Sequence, residues 1–257
     1  MSTHQSAAKY RIYPAYCFTA SPTYNVWVKL TAADVQALRT EPQYRSQHIY
    51  FNLNYPIRYV CIVGTVVAID DINLKYTVLT IDDGSGATVE VKIVRLTPDI
   101  YNSVESPSNT TIGNVNVIVR TGCFEVTVDH QQVDIGSVIK AKCTISEFRG
   151  MKQLEIKRVW IVPTTNEEVQ AWAETAAFKR EVLSKPWHLT SAEHKKIKKE
   201  IKRERRKNQE YERLKVEHEA RRGEQKKAWE EYMEKREARL EARRRKEEVM
   251  MNAGALI

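Results

Sequence analysis

The segment from Ile57 to Val94 constrains the fold more than any other part of this chain. It opens with IRYVCIVGTVVAID, apolar on both alternating faces as a central strand is. Gly64 stands where a coiled barrel strand needs a bulge or a close backbone approach. The strand is expected to be long, bent and buried. Two further runs, Tyr76 to Ile81 and Ala87 to Val94, are rich in Val, Thr and Ile. Asp82, Asp83, Gly84, Ser85 and Gly86 join them as a hairpin in which glycine supplies positive φ. Three strands in meander order form the front half of a small barrel. Ile135, Gly136 and Ser137 open a further strand, Val138 to Ile145, and Leu154 to Val162 supply another. In the first of these, Lys140 and Lys142 alternate with Ile139, Ala141 and Cys143 and are expected to face outward.

The segments flanking these strands differ in kind. Residues 1–9 are polar and expected to be disordered. Tyr13, Tyr16, Phe18, Tyr24 and Trp27 are interleaved with apolar residues and lack basic neighbours in sequence. They are therefore expected to cover a barrel end or edge rather than to stack bases. Thr31 and Asp34 start a short helix running through Leu38. An insertion, 97–136, begins with a Ser, Asn, Thr and Pro-rich stretch from Thr97 to Gly113, expected to be a mobile loop. Val115 to Arg120 and Phe124 to Val128 then read as an extra hairpin. Thr165 and Glu168 form a capping box before a helical run in which Val169, Trp172, Ala173, Ala176 and Leu183 recur at spacings of three and four. After Pro186 the chain is Lys, Arg and Glu with few apolar residues. Of the net charge of +8, +7 lies there, as 22 basic against 15 acidic residues. Pairs such as Glu217 with Arg221, Glu231 with Lys235 and Glu241 with Arg245 support a solvated helix interrupted at Gly223. No strict heptad is sustained, which favours a lone charged helix over a coiled coil.

The segments VGTVVAID, YTVLTIDDGSGATVEVKI and VDIGSVIKAKCTISEFRGMKQLEI resemble the STN subunit of the CST telomere-capping complex, and more distantly the middle subunit of replication protein A. The resemblance runs from about Tyr13 to Trp187. It implies an all-β OB-fold barrel over 10–163, with an N-terminal extension and the insertion 97–136 where many OB-folds place a helix. It also implies a C-terminal docking helix over 165–185, and the charged composition after it adds a long charged helical tail over 186–257. The block YPAYCFTASPTYNVWVKLTAADVQAL is similar to fungal members. Animal members carry two winged-helix modules after the barrel. Nothing in this tail resembles them, so activities tied to those modules are not carried over.

OB-folds take single strands across their second and third strands, closed over by the loops after the first strand and between the fourth and fifth. Mapped here, that face presents Lys75, Tyr76, Thr77, Thr88, Glu90 and Lys92, and the later loop presents Phe148, Arg149 and Lys152. The DNA-binding candidates are accordingly Lys75, Tyr76, Thr77, Lys92, Phe148, Arg149 and Lys152. The resemblance implies single-stranded telomeric DNA as ligand, and a small OB-fold TEN-type subunit seated on Val169, Trp172, Ala173, Ala176 and Leu183. A larger CST subunit and DNA polymerase alpha-primase follow as further partners, with the nucleus and the telomeric region of chromosomes as location. The block KKIKKEIKRERRK suits an import signal through Lys195, Lys196, Lys198, Lys199, Lys202, Arg203, Arg205 and Arg206. Alternatives are a protein-interaction scaffold, a replication-protein-A-like subunit without telomere specificity, or an anticodon-type RNA module. Through Pro163 only 16 basic residues stand against 14 acidic, so binding by the barrel alone is expected to be weak.

Catalytic chemistry is not suggested. Asp before Gly at Asp82 and Asp83 is turn chemistry, and Gly84, Ser85, Gly86 lacks the Lys and the following helix of a phosphate loop. The six histidines fall in no ligand-like spacing. Cys17, Cys61, Cys123 and Cys143 are scattered without CxxC spacing, so buried reduced thiols are expected, with no metal or cofactor. Asn109, Thr110, Thr111 formally matches a glycosylation acceptor, but no secretory signal accompanies it. No apolar run is long enough to span a bilayer, and a soluble, non-enzymatic protein is expected.

Overall fold

A computed structural model describes residues 10–73, 75–96, 108–120 and 123–254. The expected disorder of residues 1–9 and mobility of 97–107 lie outside them. In chain order the elements are β1 (Val28–Lys29), α1 (Ala32–Gln36), β2 (Arg39–Thr40), β3 (Tyr50–Asn52), β4 (Tyr55–Ile57), β5 (Tyr59–Asn73), β6 (Tyr76–Asp82) and β7 (Thr88–Val94). There follow β8 (Val115–Arg120), β9 (Cys123–Val128), β10 (Gln131–Val133), β11 (Val138–Phe148), β12 (Met151–Ile161), α2 (Thr165–Phe178) and α3 (Ser191–Gly254).

Strands β5, β6, β7, β11 and β12 close a barrel. Strand β5 pairs antiparallel with both β6 and β11, β6 with β7, and β11 with β12. The parallel pairing of β12 with β7 completes the ring, and β1 adds a short parallel strand beside β5. Period-two alternation fills the interior: Val60, Ile62, Val66, Leu79, Ile81, Val91, Ile139, Cys143, Leu154 and Ile156 are all buried. Gly64 shares that inward parity, and a Cβ there would lie 2.6 Å from the Asp82 carbonyl oxygen and 2.8 Å from Ile81 Cγ2. The close approach expected at Gly64 is therefore real, and the bulge falls just beyond it, between Val66 and Ala68. Burial of β5 is less complete than its sequence suggests. Its pairing with β11 ends at Thr65, so Val67 to Asn73 run on against β6 alone and are exposed or half-buried.

The turn after β6 does two jobs. Asp82 Oδ1 accepts from the Gly84 amide (2.8 Å) and Asp83 Oδ1 from the Ser85 amide (3.1 Å), with Gly84 and Gly86 at φ 75° and 87°. Asp83 Oδ2 and Ser85 Oγ then accept from the Ala32 and Ala33 amides at 2.7 and 3.1 Å, and Thr31 Oγ1 accepts from that of Asp34 at 3.1 Å. The open amides of α1 are thus capped by its own N-cap and by a hairpin fifty residues away in sequence.

Among the N-terminal rings, Phe18 packs as its apolar interleaving predicts, with Tyr24 against it. Phe18, Tyr44, Ile49 and Phe51 form a buried cluster beside the small sheet β2–β3–β4, with Phe18 5.0 Å from Tyr44. The insertion forms a three-stranded sheet, β10–β9–β8, burying Val115, Val117, Val126, Val128 and Val133. The described end of the preceding loop is tied down rather than loose. Ser108 and Thr110 are buried and donate to the carbonyls of Ile112 and Val115 at 2.7 and 2.8 Å.

Helix α2 begins one residue earlier than its capping pattern suggests. Thr164, not Thr165, is the N-cap, its Oγ1 accepting from the Glu167 amide at 3.3 Å. The helix lies on its own barrel, held by Lys29–Glu174 (2.8 Å) and Lys179–Asp34 (2.7 Å), and ends in a π turn over Lys179–Leu183. Helix α3 forms a unit of its own, separate from residues 1–190, and its pairs include Arg221–Glu217, Lys226–Glu230 and Arg245–Glu241. Gly223 does not interrupt it. A helical glycine costs about 1 kcal/mol relative to alanine, too little to break a run flanked by ion pairs.

Candidate nucleic-acid and partner interfaces

Alternation on β6 and β7 decides which side chains can meet a ligand. Tyr76, Thr80, Thr88, Glu90 and Lys92 face outward; Thr77, Leu79, Ile81, Val89, Val91 and Ile93 face the core. Lys92 Nζ stands 5.1 Å from the Tyr76 ring centroid and 3.7 Å from Glu155 of β12, which also pairs with Lys157. Burial pushes the Glu155 carboxyl up, but Lys157 and Lys92 outweigh it and hold the group below its ordinary range. Glu155 is neither ring nor cation, yet it sets how much of the Lys92 charge is free. Lys75 is exposed in the turn before Tyr76, where its carbonyl accepts from the Arg95 amide at 2.8 Å.

Two sequence candidates do not face a ligand. Thr77 is fully buried, and its Oγ1 accepts from Arg95 Nε at 2.9 Å, while Arg95 also pairs with Asp71 and lies over Phe124. It belongs to the seal between barrel and insertion. Lys152 has the inward parity of Leu154 and Ile156 and is only 8% exposed; its Nζ pairs with Glu147 at 3.3 Å and lies 5.2 Å from the Tyr50 ring centroid. Lys152 in turn holds the Glu147 carboxyl below the usual carboxylate range. The loop expected between the last two barrel strands is a tight turn. Phe148 pairs with Met151, and Arg149 and Gly150 between them take φ 50° and 82°. Phe148 is exposed at its tip, with the Arg149 guanidinium 5.2 Å from its ring. The face therefore keeps Tyr76 with Lys92 and, four residues along β12 from the Glu155 level, Phe148 with Arg149.

On α2 the stripe Val169, Trp172, Ala173 and Ala176 is exposed, Trp172 at 46%. Leu183 is not part of it. The π turn rotates the chain out of helical phase, and Leu183 is buried in its own fold near a segment that also buries Trp187 and Leu189. Trp172 and Ala176 border a cleft of about 230 Å³ shared with Leu30, Val63 and the turn at Asp83. On α3, Lys195, Lys196, Lys198, Lys199, Lys202, Arg203, Arg205 and Arg206 are all exposed. Cys17, Cys61 and Cys143 are free and buried, and burial pushes the Cys143 thiol well up. Among the described residues no cluster of His, Cys, Asp or Glu could hold a metal ion, and no helix is long and apolar enough to cross a membrane.

A closed five-strand barrel with its third and fifth strands parallel, carrying rings and cations on its second and third strands, defines the OB-fold class of binding module. The family described as "Telomere regulation protein Stn1" matches residues 34–252, and the chain belongs to that family. It is 24% identical over 181 residues to the CST complex subunit STN1 of Bos taurus, covering 68% of this chain and 47% of that protein. It is 25% identical over 169 residues to Protein stn1 of Schizosaccharomyces pombe, covering 65% and 44%. The chain thus spans somewhat less than half the length of these relatives. Among solved structures, that of yeast Stn1 and Ten1 superposes with a TM-score of 0.51 at 15% identity, covering 74% of this chain and 91% of that one, a likeness of fold.

Proposed function

We propose that this chain is the OB-fold subunit of a CST-like telomere-capping complex. It binds single-stranded telomeric DNA weakly by itself, protects chromosome ends and assists lagging-strand fill-in, without enzymatic activity. A small OB-fold partner of the kind named in the yeast Stn1 and Ten1 structure docks on Val169, Trp172, Ala173 and Ala176 of α2. The observation that carries this reading is the exposed Trp172 among small residues, on a helix that follows the last barrel strand. A large aromatic ring that small neighbours let a partner approach closely is an interface anchor. A larger CST subunit and DNA polymerase alpha-primase are the further partners of this reading, and the basic block from Lys195 to Lys207 addresses the chain to the nucleus.

A second reading, a protein-docking scaffold, is favoured by the thin positive excess of the barrel and by the loss of Thr77 and Lys152 from the DNA-binding set. Fluorescence anisotropy of the purified chain separates the two, with and without the small partner, against single-stranded DNA, duplex DNA and RNA. The capping reading expects single-stranded DNA to bind best and more tightly with the partner present. No single-strand binding in either state would leave the scaffold.

A further inference from the structure

Away from Tyr76 and Lys92, the fold gathers a second set of rings and cations that the chain order disperses. Trp27 precedes β1, Tyr59 opens β5, Lys142 lies in β11 and Trp160 in β12. Parallel pairing of Val28 with Val60 sets Trp27 beside Tyr59, their centroids 5.0 Å apart. Lys142 pairs with Cys61 on the outward side, its Nζ 5.9 Å from the Trp27 ring and 5.4 Å from that of Trp160. Beside them the Arg58 guanidinium stands 5.3 Å from the rings of both Tyr24 and Tyr59.

Two features separate this surface from ordinary packing. Among the described residues neither Lys142 nor Arg58 has a carboxylate partner, whereas Lys29, Lys92, Lys152 and Lys157 each do. Their charge is therefore available, and the rings already restrict their side chains, so binding an anion there costs little further ordering. Trp160 also remains 38% exposed on a strand whose inward neighbours are buried. An acidic peptide would satisfy the cations but gain nothing specific from the rings, and duplex DNA keeps its base faces stacked inside. A single strand uses both, with bases on the rings and phosphates on the cations.

The geometry points to a second single-stranded-DNA contact surface across β1, β5, β11 and β12, with bases stacking on Trp27 and Trp160 and phosphates meeting Lys142 and Arg58. This rests on the reading that the chain binds single-stranded DNA, and it extends the footprint beyond β6 and β7. A cleft of about 240 Å³ bordered by Arg58, Tyr59, Thr144, Glu155 and Lys157 lies along the way. Through Glu155, which also pairs with Lys92, the two surfaces adjoin across β12.

The test is anisotropy with the full chain and an oligothymidylate of about twenty nucleotides, enough to cover more than one OB-fold site, over a range of salt concentrations. Parent, Lys142→Gln with Trp160→Ala, and Tyr76→Ala with Lys92→Gln are compared, each with its thermal melt. The Lys142 and Trp160 pair is expected to weaken binding about tenfold, with the melt unchanged, one stacked base being lost. Loss of one phosphate contact should make the salt slope shallower by about 0.7. Parent-like affinity and slope in that variant overturn the second surface while leaving DNA binding intact. A parent that binds no single strand overturns both. Equal weakening of duplex binding, or tighter binding of oligouridylate than of oligothymidylate by the parent, also overturns the assignment. Should Trp160→Ala lower the melt, Lys142→Gln alone decides through its slope, because it keeps both indoles.

Discussion

Thr77 lies on the second barrel strand and Lys152 beside the last hairpin turn, yet strand parity turns both side chains inward. A shift of one residue moves a side chain from solvent to core, so a basic residue near a hairpin tip is no evidence of a basic surface. Lys152→Met should therefore act on stability and not on DNA. Loss of the Glu147 partner is expected to cost about 1–3 kcal/mol in urea unfolding, with the salt slope of DNA binding unchanged. Because Lys152 lowers the folded-state pKa of Glu147, that part of the stability is fully present above the ordinary carboxylate range. It is lost as pH falls through the depressed value. Urea midpoints followed from neutral pH into that range should fall less steeply for Lys152→Met than for the parent. Gly64→Ala meets the Asp82 carbonyl oxygen at 2.6 Å, a backbone atom that cannot swing aside. Thermal melts should show a loss of about 1–3 kcal/mol or more.

Among the elements, the strands were legible because alternating Val, Ile and Thr runs broken by turn residues, such as Asp83-Gly84, have one physical meaning. The tight turn at Arg149 and Gly150 was not, since Phe148 to Lys152 carries both polar and apolar residues with no fixed spacing. Adjacent threonines at 164 and 165 can each cap a helix, so the start of α2 was ambiguous by one residue. The π turn that buries Leu183 leaves no mark in a pattern read at 3.6 residues per turn. Lys29, two residues from Trp27 along the chain, is taken up by Glu174, while Lys142 and Arg58, distant in sequence, reach the Trp27 and Tyr24 rings in space. These differences give α2 two kinds of residue. Trp172→Glu, at a half-exposed position, is expected to abolish co-purification with the small OB-fold partner and leave the melt of the chain alone unchanged. Leu183→Ala should cost about 2–5 kcal/mol of the chain's own stability, read by urea unfolding, because it empties a buried site. A collapse of the melt in Trp172→Glu would make that ring part of the chain's own core and end the docking proposal.

At the scale of the whole molecule, the two units should differ in how they lose structure. The barrel unit buries an apolar interior and is expected to unfold in one cooperative step. Helix α3 beyond Ile201 is exposed residue by residue, and its large apolar side chains, including Trp229, Tyr232 and Leu240, are solvent-facing. Its order rests on intrinsic propensity and on (i, i+4) pairs such as Arg221–Glu217 and Arg243–Glu247, each worth about 0.2–0.5 kcal/mol and screened by salt. Far-UV circular dichroism should therefore show a gradual helical loss on heating, followed by a sigmoidal step. Raising the salt to about 1 M, where the screening length falls to about 3 Å, should shrink the gradual phase and leave the step in place. Gly223→Ala, at a position with open space around it, should strengthen the gradual phase by about 1 kcal/mol without moving the step. The contrary result is a sharp helical transition whose midpoint rises with protein concentration. That would mean the stripe of Trp229, Tyr232 and Leu240 packs against a second copy, so that α3 is an assembly element and not a lone charged arm.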